Sequence, residues 1–155
     1  MILAVLLSVV LNSAPLVPHS FVPPQGWTEG KDLPPDGPDA IWLSPGFGKN
    51  GNGENLAVTS RPAGRQADLP SEVRAAIAEL SADRDITVSR AESTCRGKLP
   101  GWRLEAKLSF PNGLTISQVY HLSLVGGRTY TFVFTHKASD AIEPAISDAI
   151  QSICA

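Results

Sequence analysis

The chain has 155 residues and a mass of 16.4 kDa, and its 13 Lys and Arg against 15 Asp and Glu leave a net charge of −2. That length holds one ordinary domain and excludes two large ones. An apolar content of 43% excludes disorder throughout, and the near-neutral charge excludes a protein whose main surface is a cationic track for nucleic acid.

Met1 to Leu11 read MILAVLLSVVL, with Ser8 the only polar side chain. Such a run has the length of a signal-peptide apolar region and is too short to cross a bilayer, which takes roughly 20 residues. Residues 1–14 are therefore expected to be an export signal, and the mature chain to be extracytoplasmic, secreted or periplasmic, with no transmembrane segment. The two cysteines, Cys95 and Cys154, fit an oxidising compartment and are expected to form a disulfide. That bond would pin the C-terminal helix to a strand end and contribute roughly 4 kcal/mol in the chain-entropy account.

From Pro15 to Gly53 the chain carries 8 of its 13 prolines and 7 of its 13 glycines, which excludes a long helix there. Residues 15–40 read as an extended arm, with Trp27 as the large apolar side chain that docks it on the body. A single domain is expected over 41–155. It opens with a hairpin, AIWLS at 40–44 and NLAVTS at 55–60, joined by a glycine-rich loop. The loop Gly46-Phe47-Gly48-Lys49-Asn50-Gly51-Asn52-Gly53 invites a phosphate reading, but it lacks the Gly-Lys-Ser/Thr ending and opens no helix. One carboxylate, Glu54, is too few for calcium.

Residues 68–82 predict a helix, with Asp68 or Ser71 as cap, Pro70 in its first turn, and Val73, Ile77 and Leu80 on one face. Four strands are expected next, at 86–93, 102–110, 114–125 and 129–137. The second alternates strictly, with Trp102, Leu104, Ala106, Leu108 and Phe110 on one side and Arg103, Glu105, Lys107 and Ser109 on the other. For the last hairpin a three-residue loop, Val125-Gly126-Gly127, places Leu122 opposite Tyr130 and Tyr120 opposite Phe132. It makes one face apolar throughout, whereas a two-residue Gly-Gly turn sets His121 opposite Phe132. The three-residue loop is the expected register. The chain closes with an amphipathic helix in SDAIEPAISDAIQSICA, 139–155, that carries Ile142, Ile146, Ile150 and Ile153 on one face, with Pro144 in its first turn. The fold class is thus α+β: an antiparallel sheet of about six strands with two main helices packed on it, in the order ββ-α-ββββ-α.

The arm FVPPQGW, the early hairpin, the helix opened by DLPSEV, the strands ending in GGRTYTFVFTH and the C-terminal amphipathic helix resemble the PsbP-like α/β/α sandwich family over roughly residues 21–153. That family is named for a lumenal subunit of photosystem II; it also includes a nuclear Ran-binding factor and many small exported bacterial proteins. The resemblance lies in pattern and element order, so it implies a fold and an accessory or binding role, and no site residue is carried over from it.

His121, mid-strand on a mixed face, is the imidazole with most chemical scope. Glu105 would orient it, and Ser123 or Thr131 would serve as nucleophile in a small hydrolase or isomerase, although no Gly-x-Ser-x-Gly elbow occurs. His136, at the edge of the apolar face, reads as a packing residue. The scattered histidines and two cysteines match no zinc spacing, and neither metal nor cofactor is expected. The favoured reading is an exported, non-catalytic binding or accessory module whose partner is another protein or an envelope component, not nucleic acid. Trp27, Trp42, Phe47 and His121 are its candidate partner-binding surface. On that reading His121 is dispensable, and its substitution alters stability only slightly. A purely structural envelope protein is a third reading.

Overall fold

The computed structural model describes residues 15–49, 53–94 and 100–137, together with 148, 149 and 152. The expected export signal at 1–14, Cys95 and Cys154 with their expected disulfide, and most of the expected C-terminal helix lie outside the described residues.

Among the described residues the elements run β1 (Thr28–Glu29), β2 (Ala40–Leu43), β3 (Asn55–Pro62), α1 (Leu69–Ala82), β4 (Ile86–Thr94), β5 (Gly101–Ser109), β6 (Thr115–Val125) and β7 (Arg128–Lys137). All seven strands join one antiparallel sheet in the order β1-β2-β3-β7-β6-β5-β4. The α+β class stands, with seven described strands in place of about six. The extra strand is β1, two residues of the proline-rich stretch that pair with Trp42 and Leu43. Gly30 N–H continues the contact by donating to Ile41 C=O at 2.8 Å. No periodicity announces a two-residue strand; only the neighbouring β2 makes it one.

Because β3 lies beside β7, the chain must cross the sheet to begin β4 at the far edge, and α1 makes that crossing. Asp68 caps it, its carboxylate accepting from Ser71 N–H at 2.8 Å, and Pro70 occupies a first-turn position that needs no donor. Val73, Ile77 and Leu80 then pack with Leu69 and Ala76 on Leu104, Leu122, Trp102 and Tyr120.

The opposite face is aromatic. Tyr130, Phe132 and Phe134 of β7 form a buried cluster with Trp42, Leu56, Val58 and Val119. Phe21 closes it from above, its ring 5.1 Å from both Trp42 and Phe132. Trp27 lies on Phe134 at 5.8 Å, as expected of an anchor, but Phe21 is the more deeply buried of the two. Ala149 joins the same cluster, and Ser152 Oγ accepts from Val22 N–H at 3.0 Å, so the start and end of the described chain meet on this face.

The expected register of the last hairpin is overturned. Val125 pairs with Arg128, His121 with Phe132, and Tyr120 with Val133, so the turn is the two-residue Gly126-Gly127. Both glycines have positive φ, +57° and +74°, which the tight right-twisting turn requires. The three-residue loop would gather every apolar residue on one face. The sheet has two covered faces, so β6 and β7 can each send apolar side chains both ways. Tyr120 and Leu122 serve the helix; Tyr130, Phe132 and Phe134 serve the aromatic cluster.

Candidate functional site

Of the four residues singled out as a partner-binding surface, two lie in the core. Trp42 is 8% exposed and His121 1%, Trp27 is half-buried, and only Phe47, 42% exposed in the loop after β2, faces solvent. Around Phe47 the backbone amides are engaged in turns. Phe47 N–H donates to Ser44 C=O at 3.0 Å and Lys49 N–H to Gly46 C=O at 2.9 Å, which leaves those two donors unable to cradle an anion. Among the described residues no group of three His, Cys, Asp or Glu side chains could hold a metal.

His121 sits on the aromatic face, its ring edge-on to Phe132 with centroids 6.2 Å apart and its Nε2 3.2 Å from Ser123 Oγ. Burial, and then the Arg103 guanidinium on the facing strand, lower its pKa to about 4, so the ring is neutral at neutral pH. Glu105, expected to orient the imidazole, instead pairs with Arg103 at 2.8 Å, and Thr131 points to the other face of the sheet, opposite Leu122. One member of the supposed trio, Ser123, does reach His121, but it too is only 1% exposed. The ring rests against Gly101: a Cβ there would overlap His121 Nε2 and lie 2.6 Å from Cε1. The imidazole is packed as a core residue, and neither it nor Ser123 lines the cavities described below. His136, as expected, packs: it is buried and stacked on Phe134 at 5.4 Å.

The helix face holds the candidate site. Because α1 packs on β4, β5 and β6, the β3–β7 half of this face is left beside the helix as a cleft of about 300 Å³. Two other cavities, of about 150 and 170 Å³, lie near His136. The floor of the large cleft is Leu122 and Tyr120, its helical wall Ala76, Glu79 and Leu80, and its sheet wall Thr59, Thr129, Thr131 and Arg61. One end is built by a small network: Glu72 accepts from Arg61 at 2.8 Å and from Thr129 Oγ1 at 3.2 Å. Tyr120 donates its hydroxyl to Gln118 Oε1. Burial, with the Glu79 carboxylate adding to it, raises the Tyr120 pKa, so the phenol stays protonated and remains a donor. An apolar floor, hydroxyl-bearing walls and a volume at the lower end of ligand sites are the general features of a binding cleft. Among the described residues the cleft lining contains neither imidazole nor thiol. No sequence signal pointed to it, since Thr59, Thr129 and Thr131 read only as strand residues until β3 and β7 pair.

Two solved structures share the fold over most of the chain. Cyanobacterial PsbP (CyanoP) from Synechocystis sp. PCC 6803 superposes with a TM-score of 0.58 at 16% identity, covering 86% of this chain and 79% of its own. LpqN, involved in cell envelope biogenesis of Mycobacterium tuberculosis, superposes with a TM-score of 0.61 at 16% identity, covering 86% of this chain and 78% of its own. The chain has a PsbP-like fold. At this identity the likeness concerns the PsbP-like fold alone; no protein-family model matches the sequence, and no curated protein matches it.

Proposed function

We propose that this protein is an exported, non-catalytic binding or accessory module of the cell envelope and that the cleft beside α1 is where it engages an envelope component. The observation that carries this reading is the chemistry of the cleft. Its polar lining is threonine hydroxyls, one phenol, a carboxylate and a guanidinium, set around an apolar floor. Those groups are suited to hold and orient, and among the described residues the lining sets no Ser, Cys or His beside the Glu79 carboxylate. The imidazole–hydroxyl contact of His121 with Ser123 is buried on the other face. The apolar run at the N-terminus supports export, and the involvement of LpqN in cell envelope biogenesis supports the setting. No described helix is long and apolar enough to cross a membrane.

A photo-crosslinking side chain placed at Thr131 in the full chain, expressed in its own host, tests the reading. Adducts from Thr131 and none from Phe110, exposed just beyond β5, are the expected result. Adducts at Phe110 with none at Thr131 would remove the cleft as the site. Turnover of a chromogenic ester that disappears in His121→Ala, with folding intact, would revive the hydrolase in its place.

A further inference from the structure

Among the described residues β4 forms one edge of the sheet, with β5 as its single strand neighbour, while the opposite edge, β1, is only two residues long. An edge strand without proline can present backbone donors and acceptors to a second strand, and proteins commonly blunt such edges with charges or bulges. β4 has a bulge between Val88 and Arg90, where Ser89 Oγ donates to Glu105 C=O at 3.2 Å. It also carries two charges, but they have opposite sign. Arg90 and Glu92 share a face and pair at 2.8 Å. On β5, Glu105 stands opposite Arg90 and Arg103 opposite Glu92, and these two pair at 2.8 Å as well. The four make a square in which every charge has neighbours of the other sign.

We infer that the β4 edge is a self-association surface, pairing antiparallel with β4 of a second copy about a twofold axis at Ala91. The register follows from charge. Two copies of one strand that pair antiparallel in one sheet must have some residue opposite itself. With Ala91 at that position, Arg90 faces Glu92 of the second copy and Glu92 faces its Arg90. Both rows then run across the dimer with alternating sign. Centring on Arg90 or on Glu92 puts like charges face to face, and centring on Ser89 or Ser93 removes the match. The surface is independent of the cleft, whose lining includes no β4 residue, so the dimer leaves the cleft open.

Sedimentation velocity from ~1 µM to ~1 mM protein should show a reversible monomer–dimer equilibrium that weakens as salt screens the exposed charges. Arg90→Glu and Glu92→Arg should each weaken the dimer by about tenfold or more, since each turns two attractive cross-strand pairs into repulsive ones. An equimolar mixture of the two variants should dimerise again, because the all-acidic strand of one meets the all-basic strand of the other. Ala91→Cys should give a covalent dimer under mild oxidation, as directly opposed Cα atoms ~5 Å apart fit a disulfide. Ser93→Cys, four residues and ~13 Å out of register with its own copy, should not. A protein monomeric throughout the range, a dimer indifferent to both charge reversals, or crosslinking at Ser93 in preference to Ala91 would each overturn the inference. Crosslinking at Ala91 also keeps the test decisive should a charge variant fold poorly.

Discussion

The two faces of the sheet are built from the same strands and do opposite things. On β7, Tyr130, Phe132 and Phe134 go to a buried aromatic cluster, while Thr129, Thr131 and Val133, interleaved with them, go to the face that α1 only half covers. One side of the strand is core and the other borders the cleft. The helix determines which is which: it crosses to the far edge over β4, β5 and β6, and leaves β3 and β7 beside it. The hydrophobic side of such a strand says where it is anchored, and its hydroxyl-bearing side shows where the molecule stays open.

Substitutions should separate the faces by magnitude. Phe132→Ala, on the aromatic side, should cost about 3–5 kcal/mol in a urea titration, the range for emptying a large buried aromatic site. A next-largest effect belongs to acid. His121 titrates at about 4 in the fold against 6.5 for the free side chain, so below pH 6.5 the unfolded chain takes up a proton that the folded chain refuses. Stability should therefore be full above pH 6.5 and fall by ~3 kcal/mol as pH drops toward 4, with little further loss from this group below that. In His121→Gln the part of the slope between pH 6.5 and 4 due to this residue should vanish; an unchanged slope would show that burial does not hold the ring neutral. Since the ring is 1% exposed, removing it should also lower stability at neutral pH, contrary to the slight effect that a mixed, half-open face suggested.

Gly101→Ala comes third, at about 1–3 kcal/mol, because the new methyl overlaps the His121 ring in a packed interior. Combined with His121→Ala it should cost less than the two substitutions summed, which a double-mutant cycle reads directly. The smallest effects lie across the sheet and sharpen the contrast within one face. Thr129→Val, which takes from Glu72 the hydroxyl it accepts from, should cost about 1 kcal/mol, whereas Thr131→Val in the cleft should stay within ~0.5 kcal/mol and yet alter what the cleft holds. Equal losses at the two threonines would mean that the cleft is packed like the core.

Much of the secondary structure was legible. The strict alternation of residues 102–110 matches β5, where Leu104 and Ala106 are buried, and DLPSEV carried both the cap and the tolerated proline of α1. Turn chemistry was legible too: Gly126-Gly127 marked the hairpin, and the error in its register came from assuming that a strand has one buried side. The site was not legible. Thr59 and Thr131 are 72 positions apart and become neighbours only because β3 pairs with β7. Nothing in β3 names β7 as its partner; β2, β6 and an open edge satisfy its pattern equally well.

What the sequence determined alone are properties carried by short stretches: the punctuation of Pro and Gly, the period of each strand and helix and the cap of α1, together with the near-neutral charge balance. These depend on backbone sterics and on local hydrogen bonds, which a few neighbouring residues settle among themselves. The tertiary structure decided the rest: that two residues at 28 and 29 become a strand, that Phe21 outranks Trp27 as anchor, that His121 is core, and that a row of threonines borders a cleft. Each of those depends on which surface lies across from the residue, and burial is a property of the pair of surfaces, absent from either segment until the chain crosses the sheet and brings them together.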